Sequence, residues 1–282
     1  QLVNTIDDLN MDAVALTEHG NMFSVLPYYK QAKNAGIKPI IGCEIYVAVG
    51  SRFEKKSRSD GGWGNNHLIL LAQNFTGYKN LMKLVTAGYL EGFYYRPRID
   101  MDLLREYSDG LICMSACLKG VVPEKMLKGD YEGAKKEALI FSEIFPDRYY
   151  LEIQNHGIAE EVANIKNMKK LSQDLNLPLV CTNDAHYAKK EHWEAHDIHI
   201  CLGTGKERSD PNRLRYATPE FYFKTQDEMY SLFKEFPEAI ENTRKIADSI
   251  DITLPIGESH LPNFPIPKEA KTTDPDEYLK SI

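Results

Sequence analysis

The sequence predicts an α/β fold in which parallel strands form a distorted barrel and helices cover its outside. Two observations lead to this prediction. Short apolar runs typical of buried strands alternate with helical segments through the first two thirds of the 282 residues, and a few residues connect each pair. At least six strand–helix units occur without a glycine-rich phosphate loop, which favours a barrel over a doubly wound sheet.

The first third of the chain begins with a helical pattern and contains the longest predicted strand. Apolar residues among the first nine positions fall on one helical face, and a strand over 12–17 and a helix over 24–34 follow. Gly36 is expected to end that helix. The strand over 38–48 carries Glu44 in its apolar interior, and a buried carboxylate requires a metal ion or a basic side chain beside it.

The middle third continues this alternation. We expect residues 51–66 to form a mobile polar loop, and residues 92–100 to form an aromatic and basic loop. The further predicted strands cover 67–72, 111–114 and 149–153, and another begins at Leu179. The predicted helices cover 78–89, 102–107, 123–128, 131–145 and 160–175.

The alternation fails after about residue 192. The predicted elements of this region are a helix over 191–201, a strand over 221–224, a helix over 227–249 and a proline-bearing linker over 252–268. The chain begins without methionine inside a helical pattern and ends where a helix starts at Asp274. We therefore interpret it as a piece of a longer protein.

Composition indicates a soluble protein of the cytoplasm. Hydrophobic residues make up 43% of the chain, yet no apolar run is long enough to span a membrane and no signal segment opens the sequence. The five cysteines lie mostly in apolar runs without a CxxC pair, which favours reduced thiols. The net charge of -7 predicts weak nonspecific affinity for nucleic acid, and no association with a membrane is expected.

Polar side chains recur at the ends of the predicted strands. They are Glu18, His19, Glu44, His67, Cys117, His156, Asp184 and His186. Because α/β barrels carry their chemistry at one end of the strands, we expect these side chains to converge. A mixture of imidazole, carboxylate and thiolate groups is typical of transition-metal sites, which hydrolyse phosphoesters when they hold more than one ion.

Four of these residues also have a purely structural explanation. His19 also fits a capping or surface residue, and Glu44 a salt bridge with a lysine, but we consider these explanations weaker than metal binding. His67 fits a hydrogen-bonded core histidine. Cys117 fits the small apolar filler that a buried cysteine usually provides.

The remaining polar residues are weaker candidates for ligands. Glu18 diverges from its neighbour His19, so we expect it to support the site or to face solvent. His156 lies next to glycine in a predicted loop, where histidine is common. The histidines at 192, 196 and 199 have helical spacing and are interpreted as ordinary helix residues.

Six longer motifs, in this order, resemble one protein family. They are 13–21 (AVALTEHGN), 38–46 (KPIIGCEIY), 92–100 (GFYYRPRID), 182–187 (TNDAHY), 210–216 (DPNRLRY) and 218–224 (TPEFYFK). The match to that family covers essentially the whole chain. The chain resembles the alpha subunits of bacterial replicative DNA polymerase III, and within them the polymerase and histidinol phosphatase (PHP) domain.

The resemblance implies a distorted (βα)7 PHP-type barrel whose metal ligands come from strand ends. Matched motif by motif, the implied ligands are His19, Glu44, His67, Cys117, Asp184 and His186. The implied cofactors are divalent transition metals, namely zinc, manganese or iron, with up to three ions in the complete domain. The family's His-x-His motif on a preceding strand has no counterpart here, so we expect the barrel to lack its first strand and the site to be incomplete.

The resemblance also implies a division of the chain and a set of partners. Residues 1–205 correspond to the PHP domain, and residues 206–282 to a helical extension toward the polymerase palm. The catalytic carboxylates for nucleotide addition belong to the palm, so none is expected in this chain. The implied partners are DNA and other polymerase III subunits, including a proofreading exonuclease and a sliding clamp.

Three functions follow as hypotheses. The first is a metal-dependent phosphoesterase with 3′ to 5′ exonuclease activity, and the second is a catalytically silent module that stabilises the polymerase and docks a proofreading subunit. The third, a free-standing PHP phosphatase, is disfavoured because the loop over 92–100 and the region after residue 210 have no expected counterpart in a compact phosphatase. Candidate contacts to nucleic-acid phosphates, with solvated loops as the alternative, are Arg96, Arg98, Arg213 and Arg215.

Overall fold

The computed structural model describes residues 2–56, 65–259, 261 and 264–282. The predicted mobile loop over 51–66 therefore lies partly outside the described residues. So do three positions of the predicted linker over 252–268. At the end of the loop, Asn65 already belongs to a strand and pairs with Ala48.

Seven strands and eleven α-helices form the described part of the chain. The strands are β1 (Ala13–Leu16), β2 (Lys38–Ala48), β3 (Asn65–Ala72), β4 (Arg98–Ile99), β5 (Leu111–Met114), β6 (Tyr149–Ile153) and β7 (Leu179–Cys181). The helices are α1 (Leu2–Asp8), α2 (Val25–Asn34), α3 (Phe75–Leu90), α4 (Met101–Glu106), α5 (Val121–Leu127), α6 (Tyr131–Ile144), α7 (Ala159–Leu175), α8 (Trp193–Thr204), α9 (Gln226–Leu232), α10 (Pro237–Ser249) and α11 (Pro275–Ser281). A 3-10 turn over Lys190–His192 precedes α8.

The strands form one curled sheet in the order β1-β2-β3-β5-β6-β7, with β4 paired to β2. The described residues show no pairing between β7 and β1, so the sheet is a half-barrel. Its helical cover confirms the predicted α/β barrel class. The core lies along the central strands, where β2, β3 and β5 are buried over nearly their whole length.

The prediction that all strands run parallel is wrong for one of them. β3 is antiparallel to both of its neighbours, β2 and β5, whereas the other pairs are parallel. A parallel neighbour requires a long crossover connection, usually a helix. The described residues between β2 and β3 form no helix, so β3 returns directly beside β2.

Several helices begin where a side chain accepts a backbone N–H group. Asn74 accepts from Gly77, Asp100 from Leu103 and Asp130 from Gly133, over distances of 2.9 to 3.1 Å. Each contact satisfies one of the four backbone donors that a helix start leaves unpaired. These short polar turns explain how the chain starts a new helix within a few residues of the preceding strand or helix.

Two predictions for the later part of the chain are wrong. The helix predicted over 227–249 is divided into α9 and α10, because Pro237 lacks an N–H donor and the preceding Phe236 takes an extended φ of -138°. The strand predicted over 221–224 is absent from this described segment. Tyr222 makes one isolated bridge with Tyr187 instead. The loop predicted over 92–100 also contains β4.

The described chain forms two compact units, Gln1–Ile252 and Thr253–Ile282. In the first unit α10 packs against β7, where the Asn242 side chain donates a hydrogen bond of 2.7 Å to the Leu179 carbonyl. The second unit contains α11. The predicted boundary between residues 205 and 206 concerns family domains and stays a prediction. Among the described residues, no helix has both the length and the apolar character needed to cross a membrane.

Replacing Gly77 with alanine is expected to destabilise the fold, although alanine is the better helix former. A Cβ at Gly77 would lie 1.8 Å from the carbonyl oxygen of Gly110, which is backbone and cannot move aside freely. We expect the free energy of unfolding in urea to fall by about 2 kcal/mol.

The control is Gly203→Ala in α8, where an added Cβ meets nothing within 4 Å. This change should leave stability unaltered or raise it by about 0.5 kcal/mol through helix propensity. Equal effects of the two substitutions would contradict the close contact at Gly77.

Candidate metal centre

The predicted polar residues converge at one end of the sheet. His19 follows β1, Glu44 lies within β2, Cys117 follows β5, and Asp184 and His186 follow β7. His67 stands at the beginning of β3 rather than after a strand. Because β3 is antiparallel to β2 and β5, its first residues lie at the same end of the sheet as the last residues of those two strands.

Three of these side chains form the centre of the cluster. One ligand atom each from Glu44, His67 and Cys117 lies within 4.8 Å of the other two. The Cys117 Sγ is 3.7 Å from Nδ1 of His67, and that nitrogen also contacts Oε1 of Glu44. The Glu44 Oε1 atom is buried and makes no hydrogen bond of good geometry, so the three groups face a common point.

Two further imidazoles line the same site. Nε2 of His19 is 3.4 Å from Oε1 of Glu44, and the side chain of His19 is 46% exposed. The ring of His19 lies with its centroid 5.7 Å from that of His186 and 6.2 Å from that of His67. His19 therefore stands at the mouth of the cluster.

His186 is oriented by a backbone contact. Its Nδ1 is 2.7 Å from the carbonyl oxygen of Asp184, which only accepts hydrogen bonds, so we assign the proton to Nδ1. The lone pair of a neutral ring is then on Nε2, and this atom is buried without a hydrogen-bond partner. Asp184 itself has a φ of +42°, a left-handed conformation that is costly for a residue other than glycine.

The two carboxylates of the cluster differ in their electrostatic surroundings. Burial opposes ionisation of Glu44, but the contact with His67 and the nearby imidazoles outweigh it and lower the pKa of Glu44. Burial raises the pKa of Asp184, and the negative charge of Glu44 raises it further. A buried and a half-buried carboxylate that oppose each other's ionisation are stabilised by a divalent cation.

Burial also affects the thiol and the outermost imidazole. Burial raises the pKa of Cys117 well above its ordinary range, and Glu44 and Asp184 raise it further. Burial lowers the pKa of His19, and the neighbouring His186 and His67 lower it too, against the opposite effect of Glu44. A neutral imidazole is the form that ligates a metal.

This donor set fits a transition metal. Imidazole nitrogens, carboxylate oxygens and a thiol match the ligand preferences of zinc and iron, and the first two also match manganese. Nε2 of His186 is a buried acceptor without a hydrogen-bond partner among the described residues, and unpaired buried polar atoms are costly. A cation held by Nε2 of His186 would remove this cost.

Two predicted polar residues do not join the cluster. His156 is buried, with Nδ1 2.7 Å from Oε1 of Glu161 and Nε2 2.8 Å from the Asn183 carbonyl, so neither nitrogen is left for a metal. Glu18 accepts hydrogen bonds from the backbone and the hydroxyl of Ser24, at 3.0 and 2.9 Å, and so stabilises the start of α2. Both therefore have structural roles.

The four candidate arginines divide into two pairs. Arg98 is 1% exposed and donates to the carbonyls of Gly92, Arg52 and Glu54, so it is not available to phosphates and that prediction is corrected.

The same correction applies to Arg213. Its guanidinium makes a bidentate salt bridge with the buried Asp197, with hydrogen bonds of 2.6 and 2.8 Å. Arg96 and Arg215 are exposed. A contact of these two with nucleic acid stays a prediction.

Sequence reasoning missed three residues beside the cluster. Glu152 on β6 is buried, and its charge interacts with those of Asp184 and Glu44. His196 and Tyr216 pack near His186, with ring centroids 5.9 and 4.8 Å from it. Glu152 carries the same signal that identified Glu44, a single charge in an apolar strand, whereas the other two residues carry no such signal.

Glu152 is expected to make stability depend on pH. Burial raises its pKa to about 7, and the charges of Asp184 and Glu44 also raise it, against hydrogen bonds from Thr182 and Gln154. This carboxyl group has a higher pKa in the folded state than in the unfolded state. Between those two pKa values, the folded protein binds more protons than the unfolded protein does. Its stabilising contribution is therefore present at low pH and is lost as pH rises from about 4.5 to 7.

Glu152→Gln should remove this dependence. In protein freed of metal by chelation, the mutant's free energy of unfolding relative to the native sequence should rise by about 2.5 kcal/mol between pH 5 and pH 8. Urea denaturation at both pH values measures it. Glu143→Gln, at an exposed position of α6, is the control and should follow the native sequence. A mutant difference that does not change with pH would contradict the assignment.

Comparison with known proteins places this arrangement in a family. Residues 1–156 match the family model described as the PHP domain. This chain belongs to the PHP domain family. The matched part of the PHP domain contains His19, Glu44, His67 and Cys117, whereas Asp184 and His186 follow it.

Curated proteins similar to this PHP-domain chain are named DNA polymerase III subunit alpha. The protein from Borreliella burgdorferi is 48% identical over the whole chain, and the one from Treponema pallidum is 45% identical over the whole chain. The protein from Thermus aquaticus is 41% identical over 96% of the chain. The chain spans 24%, 24% and 22% of the length of these relatives, respectively.

Proposed function

We propose that this chain is the PHP region of a DNA polymerase III alpha subunit that acts in bacterial DNA replication. We further propose that its cluster holds divalent metal and hydrolyses phosphodiester bonds, as a 3′ to 5′ exonuclease. The similarity to named alpha subunits over the whole chain supports the first part. The geometry of the cluster supports the second part.

The observation that carries the metal proposal is the buried Nε2 of His186, which has no hydrogen-bond partner among the described residues and lies in the same cluster as the buried carboxylate of Glu44. A barrel that served only as a scaffold would gain stability if these polar groups were replaced by apolar ones. The same end of the sheet also collects His67, Cys117 and Asp184. Polar groups from four strands at one point are accounted for if they hold a cation.

The proposed ligands are His19, Glu44, His67, Cys117, Asp184 and His186. When bound, zinc, manganese or iron supplies a Lewis acid and lowers the pKa of a coordinated water. Glu44 and Asp184 supply the negative charge that neutralises the cation. Asp184 also orients the His186 ring through its carbonyl, and His19 at the exposed mouth of the site lies where a substrate phosphate would enter.

The rest of the proposal concerns the whole protein. Its nucleotide addition would reside outside this chain, and its partners would be DNA and other polymerase III subunits, with a proofreading exonuclease and a sliding clamp among them. We place it in the cytoplasm, where replication occurs in bacteria. The division into a PHP domain over 1–205 and an extension over 206–282 belongs to the same proposal.

The test uses the full-length polypeptide. Elemental analysis after dialysis should find bound divalent metal, and a primer with a mispaired 3′ end should lose its terminal nucleotide when manganese or zinc is present. Asp184→Asn should abolish this release while nucleotide addition continues, which shows that the protein is folded. Bound metal without any release would overturn the exonuclease proposal and leave a structural role, whereas absence of both would overturn the metal proposal.

A further inference from the structure

Three exposed aromatic rings from separate parts of the chain form one surface, which we call the aromatic surface. They are Phe23 before α2, Tyr89 in the last turn of α3, and Phe93 in the loop that follows α3, and they are 78%, 38% and 47% exposed. The ring centroids of Phe23 and Tyr89 are 6.4 Å apart. Those of Tyr89 and Phe93 are 6.1 Å apart, with their planes inclined by 26°.

The aromatic surface adjoins the metal cluster through shared packing. Gly20 follows the cluster residue His19, and a Cβ at Gly20 would lie 2.7 Å from Pro97 and 2.9 Å from Tyr46. A Cβ at Gly88, next to Tyr89 in α3, would lie 3.3 to 3.5 Å from atoms of Pro97. The same proline therefore contacts the segment that carries the cluster and the helix end that carries Tyr89.

Tyr46 contacts both a residue of the metal cluster and a positively charged side chain. Its ring packs edge-on against His67, with centroids 5.2 Å apart. The guanidinium of the exposed Arg96 lies 5.9 Å from the centroid of the same tyrosine ring. Arg96 therefore contacts the tyrosine that packs against the cluster residue His67.

These features point to one class of ligand. Exposed aromatic rings that continue into a positively charged group are the elements by which proteins bind single-stranded nucleic acid, since bases stack on the rings and the cation meets the phosphates. An apolar protein segment would use the rings but would gain nothing from an arginine on the path to the cluster. The chain's net charge of -7 makes such a local cation necessary for any contact with phosphate.

We propose that the aromatic surface and Arg96 bind an unpaired strand of DNA and direct its end to the metal cluster. This inference rests on the proposed function, because it names the substrate of that site as a single-stranded end. It assigns stacking to Phe23, Tyr89 and Phe93, which act on the strand and not on the reacting phosphate. Binding by this surface does not require the metal.

The experiment uses a 12-nucleotide single-stranded oligonucleotide with iodouracil near its 3′ end and the full-length polypeptide treated with chelator. After ultraviolet irradiation, cross-linked peptides are identified by mass spectrometry. We expect cross-links in peptides that contain Phe23, Tyr89 or Phe93. Phe93→Ala should lower the yield of this cross-link about tenfold, and Phe93→Tyr, which keeps a ring, should restore it.

The matched control is Phe75→Ala at the other end of α3. Phe75 is 38% exposed and stacks on Tyr78 at 6.1 Å, so it resembles Tyr89 in exposure but lies outside the aromatic surface. The cross-link yield of Phe75→Ala should equal that of the native sequence. Unchanged thermal unfolding of both alanine variants would show that the loss at Phe93 does not come from misfolding.

Cross-links confined to other regions, or a Phe93→Ala variant with full yield at the aromatic surface, would overturn the proposal. If another polymerase subunit binds the aromatic surface and the oligonucleotide does not, the surface is a protein contact and the proposal is overturned. The outcome is separate from that of the metal proposal. If metal is absent and these cross-links are present, only the proposed phosphoesterase function is wrong. If metal is present and these cross-links are absent, only the proposed strand binding is wrong.

Discussion

Replacing Glu44 with glutamine is expected to lower the affinity for zinc or manganese at least about 100-fold. The substitution preserves the shape of the side chain but removes the carboxylate that contacts His67 and lies 3.4 Å from Nε2 of His19. Loss of an outer residue that merely orients a ligand already costs about 10- to 100-fold in affinity, so loss of a charged ligand should cost at least as much. Titration calorimetry with each metal measures the change.

Glu18→Gln is the matched control for this experiment. Glu18 precedes His19 and carries the same carboxylate, but its oxygens accept hydrogen bonds from Ser24 and take no part in the cluster. Its substitution should leave metal affinity unchanged and weaken only the start of α2, by about 1 kcal/mol. Equal losses of affinity in the two variants would show that Glu44 is not a ligand.

The second large effect is expected at Arg98, where alanine should lower the free energy of unfolding by about 3 to 5 kcal/mol. The buried guanidinium donates to three carbonyl oxygens, 3.0 to 3.2 Å away, that belong to two separate loops. Removing it leaves buried acceptors unpaired and a cavity in place of a large side chain. Urea denaturation monitored by circular dichroism measures the loss.

Arg96→Ala provides the comparison within the same loop. Arg96 is exposed, so its removal should change stability by less than about 0.5 kcal/mol. Similar destabilisation of both variants would contradict the structural role assigned to Arg98. The two arginines flank the same proline. Arg98 serves the folding of the chain, whereas Arg96 lies at the surface.

The sequence pattern was sufficient for most of the elements. The bounds of β2, β5 and β6 agree with the predicted strands because each is a mainly apolar run, broken in the interior of β2 and β6 by one glutamate, and buried strands have that composition. The direction of β3 was not predictable in this way. Apolar character specifies that a strand is buried, but the connection before it determines whether it runs parallel or antiparallel to its neighbour.

Contacts between distant segments also lay beyond sequence reasoning. The convergence of polar residues from separate strands could be predicted from their positions at strand ends. The burial of Arg98 and Arg213 could not, because their partners are backbone carbonyls and an aspartate in other segments. Composition alone makes such arginines look like solvated basic residues. Glu152 was predictable in principle, since the argument applied to Glu44 holds equally for a charge within β6.

The reversal of β3 has a consequence for how this barrel can evolve. The connection from β2 to β3 leaves the sheet at Ala48 and rejoins it at Asn65, two residues before His67. A change of chain length between Ala48 and Asn65 would therefore act on the sheet close to His67, and it would leave the order of the strands unaltered. Such a segment offers a route by which related proteins acquire different selectivity on an unaltered scaffold.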